Sequence, residues 1–261
     1  MLTRSAHYTL IVEGDRLIVS GGADESYLVD ELEGEGARAL AAAWQADRLD
    51  AVAEGSLAPV IRNLERLGAI VRTRATPAGT LAYALRGAPE AFVGALDGMG
   101  VGEGITRVER GADLLVWIRT SETLLGRLPS DYASLRVPHL LVDLAYHHTI
   151  SIGPLVWPGE TACLGCFGGR IRRTWGDPEP PPSPRAIEHA PLAAALVRTE
   201  LRRFREQGNC PSLVERATAI DLETLATKSE RVFRLPWCPF CFPENATPYG
   251  GGSFALPWRV S

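Results

Sequence analysis

Two Cys-x-x-Cys pairs constrain the fold of this chain more than any other feature. The first pair, Cys163 and Cys166, closes the stretch Gly-Pro-Leu-Val-Trp-Pro-Gly-Glu-Thr-Ala-Cys-Leu-Gly-Cys that begins at Gly153. The second pair, Cys238 and Cys241, lies near the C-terminus. Four thiolates from two such pairs make a closed tetrahedral zinc site, which leaves no open position for a substrate and is therefore structural. We expect zinc to tie the distant end of the chain back to this stretch.

The composition of the chain is that of a soluble globular protein, with 46% hydrophobic and 22% charged residues among 261. This length favours two domains. A net charge of −4 is too small to favour nucleic acid or an acidic membrane as a partner. The N-terminus lacks an apolar signal core and no apolar run could span a membrane, so we expect a cytoplasmic protein. In that compartment paired cysteines bind metal more often than they form disulfides. The fifth cysteine, Cys210, is expected to be a core or loop thiol.

Residues 1–75 are predicted to form a winged-helix-like domain. Two β-rich runs flank the turn signal Glu13-Gly-Asp, and a third apolar run completes a meander that Gly34-Glu-Gly ends. The predicted strands are Tyr8–Val12, Arg16–Ser20 and Tyr27–Val29. The predicted helices are Ala37–Ala46, Leu49–Ala53 and Leu57–Leu67, and Ala69–Val71 is a short strand or wing. Ser56 is the expected N-cap of the third helix and Gly68 its terminator.

Three roles are open for this domain. The third helix is not basic enough to favour binding of duplex DNA. An edge strand beside an amphipathic helix forms a groove to which an extended peptide can add as another strand, and this favours peptide recognition. A purely structural cap is the remaining alternative.

Residues 88–261 are predicted to form a degenerate Rossmann-like α/β domain. A buried strand is expected at Ala91–Leu96, followed by glycines at alternate positions from Gly98 to Gly104. Their spacing never gives Gly-x-Gly-x-x-Gly, and no room is left for a phosphate-binding helix before the next strand. ATP is therefore not expected on this chain. Further strands are predicted at Ile105–Val108, Ala112–Ile118, His139–Ala145 and Thr149–Ile152, the second and third of them parallel.

Several polar residues of this domain could carry chemistry. Asp113 and Asp143 lack an obvious partner and are expected to be buried or strand-end polar groups. His147 and His148 are adjacent and cannot easily share one ion, so they are expected to be surface or loop residues.

The insert between the cysteine pairs is predicted to begin with a Pro-rich linker, Thr174–Arg185. A helix from Ala186 to Glu206 follows, with Leu192, Leu196 and Phe204 facing inward. Strands are predicted at Leu213–Leu222 and Arg231–Leu235. The apolar tail Phe254–Arg259 could pack on its own domain or dock on another protein.

Together these features resemble one family. The pattern Gly-Pro-x-x-x-Pro-Gly-x-Thr-x-Cys-x-x-Cys, the terminal Cys-Pro-Phe-Cys, the N-terminal module and the degenerate sheet look like the ThiF-like, or ubiquitin-activating-enzyme-like, leader-binding subunits of azoline-forming cyclodehydratases. These subunits serve pathways for ribosomally made and modified peptides (RiPPs). The N-terminal module resembles the RiPP recognition element of that family. The resemblance covers nearly the whole chain.

The resemblance implies that the chain binds the leader of a precursor peptide and presents its core to a YcaO-type partner, which uses ATP to form thiazoline or oxazoline rings. It implies zinc on Cys163, Cys166, Cys238 and Cys241, and it transfers no catalytic residue. A flavin dehydrogenase in the same complex and self-association are compatible with it. The implied peptide contacts are Tyr27, Leu28, Val29, Leu57, Ile61 and Leu64. Two alternatives are a ThiF-like adenylating enzyme and a zinc-stabilised winged-helix regulator that binds DNA.

Overall fold

A computed structural model describes most of the chain. It covers residues 1–5, 8–13, 16–22, 25–29, 32, 34–73, 80–121, 128–175, 185–236 and 238–242. The predicted turn at Gly14 and Asp15, most of the Pro-rich linker and the apolar tail lie outside these residues. The chain divides into two units, Met1–Ala75 and Thr76–Ser261. None of the described helices is both long and apolar enough to cross a membrane.

Within its described residues, the first unit contains five short strands and two α-helices. Strands β2 (Thr9–Glu13), β3 (Arg16–Gly22) and β4 (Glu25–Val29) form an antiparallel meander in that order, which confirms the predicted hairpins. Strand β1 (Leu2–Arg4), which the sequence analysis missed, pairs antiparallel with β5 (Ile70–Arg72). The helices are α1 (Gly34–Gln45) and α2 (Ala58–Leu67), with 3₁₀ turns at Leu49–Val52 and Gly55–Leu57.

Two details of the predicted helices in this unit differ from the structure. The glycines Gly34 and Gly36 do follow the meander, but they already lie in the first turn of α1, which begins at Gly34 rather than at the predicted Ala37. Ser56 does not cap α2, since it lies in the preceding 3₁₀ turn and α2 starts with Pro59 in its first turn. Gly68 does end α2, at a left-handed φ of +82°.

The second unit is built on a seven-stranded mixed sheet, so an α/β class is confirmed. The strands are β6 (Leu81–Arg86), β7 (Ile105–Arg107), β8 (Leu114–Arg119), β9 (His139–Asp143), β10 (Thr149–Val156), β11 (Arg216–Asp221) and β12 (Thr227–Arg231). Their order is β12-β11-β10-β9-β8-β6-β7. The four strands at the β7 end are parallel, as predicted for β8 and β9, and the other three run antiparallel to their neighbours.

The described residues of this unit also form three α-helices: α3 (Glu90–Met99), α4 (Leu164–Trp175) and α5 (Ala190–Gln207), with 3₁₀ turns at Ser130–Ser134 and Ile187–His189. The predicted strand at Ala91–Leu96 is wrong, since these residues form the body of α3. Phe92 and Leu96 are four residues apart and both fully buried, whereas Gly94 between them is exposed, so the run has a helical stripe.

The insert also departs from its prediction. A strand was expected to begin at Arg231, but β12 ends there. The polar run Thr-Lys-Ser-Glu-Arg forms this strand by pairing at the edge of the sheet, and it has no apolar alternation by which a strand could be recognised. Helix α5 confirms the predicted helix and buries Phe204, but Leu192 is 40% exposed and does not face inward.

Each face of the sheet carries its own core because side chains alternate along every strand. Val116 and Ile118 of β8 face α3 and α5, and residues from those helices complete that core. Leu115 and Trp117 face the opposite side, where α4 and three of the four paired cysteines are buried with them. The cysteine cluster is thus part of the second core.

Gly153 marks an irregularity in β10 that leads the chain toward that second core. The pairing of β10 with β9 shifts register between Ile152 and Leu155. Gly153 has a φ of +92°, and a Cβ atom there would clash with the backbone carbonyl oxygen of Arg216. Only glycine fits this position without strain.

We therefore predict that Gly153→Ala lowers the free energy of unfolding by about 3 kcal/mol, from the left-handed φ and the clash together. Gly94→Ala is the matched control. Gly94 lies in α3 and a Cβ there meets nothing within 4 Å, so alanine should stabilise the helix by up to about 1 kcal/mol. Urea denaturation of both variants measures the difference, and equal effects of the two substitutions would contradict the prediction.

Candidate functional site

The four paired cysteines converge on one point in the second core. The Sγ atoms of Cys163 and Cys238 are 3.4 Å apart, and those of Cys166 and Cys241 are 3.5 Å apart. All four Sγ atoms lie within 4.8 Å of one another, so the cluster could hold a metal ion. For comparison, a tetrahedron with metal–sulfur bonds of about 2.3 Å has sulfur–sulfur edges of about 3.8 Å. The separation between Cys163 and Cys166 is 3.8 Å.

The stretch that precedes the first pair is shaped by its own turn residues. After β10, the Thr161 hydroxyl accepts a hydrogen bond from the Trp157 amide at 2.8 Å and donates to the Trp157 carbonyl at 3.3 Å. Gly159 supplies the φ of +81° within this turn. The turn delivers Cys163 to the start of α4 and places Cys166 in its first turn. The positive end of the helix dipole favours thiolates there.

The second pair is brought back to the first by backbone contacts of its own. The Arg234 guanidinium donates to the carbonyls of Gly159, at 2.5 Å, and Thr161, at 3.3 Å. The Leu235 amide then donates to Sγ of Cys166 at 3.3 Å. Arg234 and Leu235 thus bind the turn and a thiol of the first pair before the chain reaches Cys238.

Phe240, from the second pair, packs directly against the first pair. A Cβ atom at Gly165 would lie 2.6 Å from the ring of Phe240, so the glycine makes the close approach possible. On another side the Phe240 ring meets the Tyr132 ring edge-on, with centroids 5.2 Å apart. Phe240, within the second pair, is therefore held against Gly165, within the first pair.

The four thiols cannot ionise independently at these separations. The hydrogen bond from the Cys163 thiol lowers the pKa of Cys166, and the same contact raises the pKa of Cys163. A divalent cation would end this competition because its charge stabilises all four thiolates together. Cys210, by contrast, lies apart from the cluster and is fully buried, so the structure confirms it as a core thiol, and burial raises its thiol pKa.

A second region with the geometry of a ligand site lies where β6 and β8 are neighbours. The chain turns from β6 to β7 on one side and later places β8 on the other, and ligands of open α/β sheets bind outside the carboxyl ends at such a point. The crossover from β6 to α3 is only Gly87-Ala88-Pro89, and the first residue of α3 is Glu90. An acidic first turn and a loop with a single glycine do not suit a phosphate.

The predicted aspartates are paired rather than free. Asp143, at the carboxyl end of β9, forms a buried ion pair with Arg119 at 2.5 Å and accepts a hydrogen bond from the Ala145 amide at 2.9 Å. Burial opposes the charge of Arg119, but the Asp143 carboxylate and the Tyr146 hydroxyl together outweigh burial and raise the pKa of that guanidinium. Asp113 accepts from the Ala82 amide at 2.9 Å. Both aspartates therefore stabilise strand ends, as the sequence analysis expected.

His147 and His148 lie in an exposed turn between β9 and β10, with ring centroids 5.2 Å apart. Neither belongs to the candidate metal cluster that the described residues form. The prediction that they are surface residues is confirmed.

In the first unit, the residues predicted to contact a peptide separate into two groups. Tyr27 and Leu28 on β4 are 41% and 51% exposed, and Val29 is partly buried against the core. The three residues Leu57, Ile61 and Leu64 are 7%, 2% and 3% exposed and belong to the core of the unit. Because their side chains already fill that core, any surface that α2 offers to a ligand comes from other residues.

The residues that surround the cysteine cluster were not predicted from the sequence. Tyr132 and His139 are buried beside it, and Phe240 and Arg234 hold the second pair. Tyr132 and His139 are single polar residues without a motif, so no spacing signal could have found them. The Phe240 contact could have been anticipated only through Gly165, since a glycine between two ligands often marks a close approach.

No family model and no curated protein matches the chain. Among solved structures, the E. coli MccB structure matches with a TM-score of 0.51 at 12% identity, over 92% of this chain and 96% of MccB. A heterocyclase in complex with substrate and cofactor matches with a TM-score of 0.47 at 15% identity, over 92% of this chain and 39% of the heterocyclase. The E. coli microcin synthetase McbBCD complex gives 0.40 at 16%, over 91% of this chain and 99% of the matched chain.

The chain thus spans about two fifths of the heterocyclase, from the 39% coverage. The match to MccB shows a shared fold, with 12% identity between the two chains.

The packing of Phe240 on Gly165 yields a prediction with a definite sign. Helix propensity alone would make Gly165→Ala stabilising by up to about 1 kcal/mol. The clash with the Phe240 ring reverses this, and we expect a loss of about 1–3 kcal/mol in unfolding free energy. In a Phe240→Ala background, the same glycine substitution should cost much less, because the ring is gone.

Chemical denaturation of the four members of this double-mutant cycle measures the coupling. Gly98→Ala, at a helical glycine whose added Cβ meets nothing within 4 Å, is the control. Additive effects of the Gly165 and Phe240 substitutions would contradict the assigned contact.

Proposed function

We propose that this chain is the leader-binding subunit of an azoline-forming cyclodehydratase. In this role it recognises the leader of a ribosomally made precursor peptide and presents the core to a YcaO-type enzyme, which carries out the ATP-dependent cyclisation. The N-terminal unit acts as a RiPP recognition element, and the second unit is a ThiF-like domain without a nucleotide site of its own.

The observation that carries this proposal is the edge strand β4. Within the described part of the chain β4 pairs with β3 on one side and with no strand on the other. Tyr27 and Leu28 are exposed on it. An extended peptide can add to such an edge through backbone hydrogen bonds, while the side chains on the strand select its sequence. The module that carries this edge is a compact unit, as a separable recognition element requires.

The second unit supports the non-catalytic part of the proposal. The whole chain, including this unit, shares its fold with MccB over 92% of this chain and 96% of MccB. At the point where a sheet of this kind would bind a nucleotide, the short crossover ends in Pro89 and leads into a helix that starts with Glu90. These residues leave the phosphates of ATP without a glycine-rich cradle and place a carboxylate near them.

We further propose that zinc occupies the four-cysteine cluster. Four thiolates in tetrahedral contact distances select zinc or iron–sulfur chemistry over hard cations. Zinc in a closed four-thiolate site has no open position for substrate or water and stabilises the fold. The metal would supply cross-linking between the two ends of the insert, and the cysteines would hold it without taking part in cyclisation.

Leader binding is tested with fluorescein-labelled N-terminal segments of the short precursors encoded beside the gene, titrated with the full chain and followed by fluorescence anisotropy. Leu28→Asp should weaken binding at least tenfold, about 1.4 kcal/mol, because a charge replaces an exposed apolar contact on β4. Leader segments N-methylated at alternate residues should also lose binding, since strand addition needs their amides.

Val12→Asp is the matched control for Leu28→Asp. Val12 is 43% exposed on β2, the other edge of the same meander, and its substitution should leave affinity within about twofold (a factor of two is about 0.4 kcal/mol). Equal loss in the two variants would shift the site away from β4. Absence of binding to every neighbouring leader, or ATP–pyrophosphate exchange by the isolated chain, would overturn the proposed role.

The zinc proposal is tested by metal analysis of freshly purified protein, for which we expect about one equivalent per chain. Cys238→Ser should lower the metal content and the thermal stability together, because it removes one of four ligands. Cys210→Ser serves as the control, since Cys210 is a buried cysteine outside the cluster. Iron instead of zinc, or metal content well below one equivalent, would refute this assignment.

A further inference from the structure

We propose that Tyr132 and His139 are positioning residues of the cysteine site, and that a directed chain of three hydrogen bonds through them fixes the backbone beside Cys163 and so sets the metal affinity. This inference rests on the zinc site proposed above. Neither residue touches the four sulfur atoms through a hydrogen bond in the structure, so their effect would pass through the peptide that follows Cys163.

The direction of the chain is determined by the two backbone groups at its ends. Nδ1 of His139 lies 3.0 Å from the carbonyl oxygen of Val137, which can only accept, so Nδ1 carries the proton. In a neutral ring Nε2 is then a bare acceptor. It lies 2.9 Å from the Tyr132 hydroxyl, which must therefore donate to it. The hydroxyl oxygen accepts in turn from the amide of Leu164 at 2.8 Å.

Burial keeps the hydrogen bonds of His139 and Tyr132 in place. His139 and Tyr132 are 1% and 5% exposed, so water does not compete for their polar atoms. Burial lowers the pKa of His139 to about 4, which keeps the ring neutral at physiological pH, as an acceptor at Nε2 requires. Trp117 packs on both rings, with centroid distances of 5.7 Å to Tyr132 and 6.4 Å to His139. The position of the hydroxyl is therefore set by strands β8 and β9.

The chain of hydrogen bonds ends at a backbone amide that has no acceptor within its own helix. Leu164 begins α4, and the first amides of an α-helix have no intrahelical acceptor. The Tyr132 hydroxyl supplies that acceptor from a 3₁₀ turn of the sheet region. It thereby fixes the peptide that joins Cys163 to Leu164.

Tyr132 reaches the second cysteine pair as well. Its ring meets the ring of Phe240, which lies between Cys238 and Cys241. One residue on the sheet side thus orients both pairs, through a hydroxyl toward the first and a ring edge toward the second. Loss of the hydroxyl alone would leave the Leu164 amide and His139 Nε2 buried without hydrogen-bond partners. The backbone at Leu164 would shift to find a new acceptor, and this shift would move Cys163.

The test measures metal affinity rather than activity. The full-length protein, stripped of metal, is titrated with Co²⁺ and then Zn²⁺, and the intensity of the cobalt visible bands reports both occupancy and tetrahedral geometry. Tyr132→Phe retains the ring and should weaken Zn²⁺ affinity roughly tenfold or more, the usual effect of removing a residue that orients a ligand. Tyr83→Phe is the matched control: it removes the hydroxyl of another buried tyrosine, which lies in the opposite core.

Substitutions at His139 separate the hydrogen-bond role from packing. His139→Leu should weaken affinity like Tyr132→Phe, whereas His139→Gln, which can still accept from the hydroxyl, should recover much of it. If the chain acts as a unit, adding His139→Leu to Tyr132→Phe should cause little further loss.

The outcomes separate the two proposals. A wild-type chain that binds neither Co²⁺ nor Zn²⁺ would overturn the zinc site and this inference together. Tight wild-type binding with Tyr132→Phe within twofold of it, or identical affinities for the glutamine and leucine variants of His139, would overturn the positioning role and leave the zinc site intact.

Discussion

The meeting of two cysteine pairs separated by a long insert is the constraint on which the second unit depends. One face of its sheet is covered by two helices, α3 and α5, which bury it in the ordinary way. The other face is covered by α4 and by the cluster itself, in which Cys163, Cys166 and Cys238 are buried beside Leu115 and Trp117. A separation of the pairs would therefore open a hydrophobic core in addition to dispersing the four cysteines.

This arrangement explains why several positions in and after β10 accept only one kind of residue. The glycine in the bulge of β10, the turn closed by Thr161, and Gly165 under the Phe240 ring each satisfy a distinct geometric demand. None of them need touch a substrate. A sequence pattern of this kind reports how the cysteine cluster is built, and the peptide-binding surface proposed above lies on other residues, at the exposed edge of the first unit.

The sequence alone predicted the elements whose signals are redundant. Strands β8 and β9 are continuous apolar runs, and the cysteine pairs have a ligand count that leaves few alternatives. It failed where a signal was short or polar. The apolar run at residues 91–96 fits a strand or a helix, and packing of its side chains in the core favours the helix. The edge strand β12 has no apolar alternation to find, and Tyr132 and His139 lie far in sequence from the cysteines they adjoin.

Three apolar residues in and just before α2 lie in the core, although their spacing also fits a peptide groove. Leu57, Ile61 and Leu64 have the spacing of an amphipathic helix, which the sequence analysis assigned to a peptide groove. A small unit has few residues with which to fill its core, and these three are used there. Exposure, which a sequence cannot report, separates them from Tyr27 and Leu28 on β4.

The pairing of β1 with β5 has a consequence for the evolution of such chains. Leu2 lies opposite Arg72, and the Met1 amino group donates to the Thr73 carbonyl at 3.3 Å, so the two ends of the described part of the first unit lie side by side. A module whose termini meet can be inserted, removed or circularly permuted with little disturbance to its own strands. The recombination of such a unit with different host proteins would then require no redesign of the unit itself.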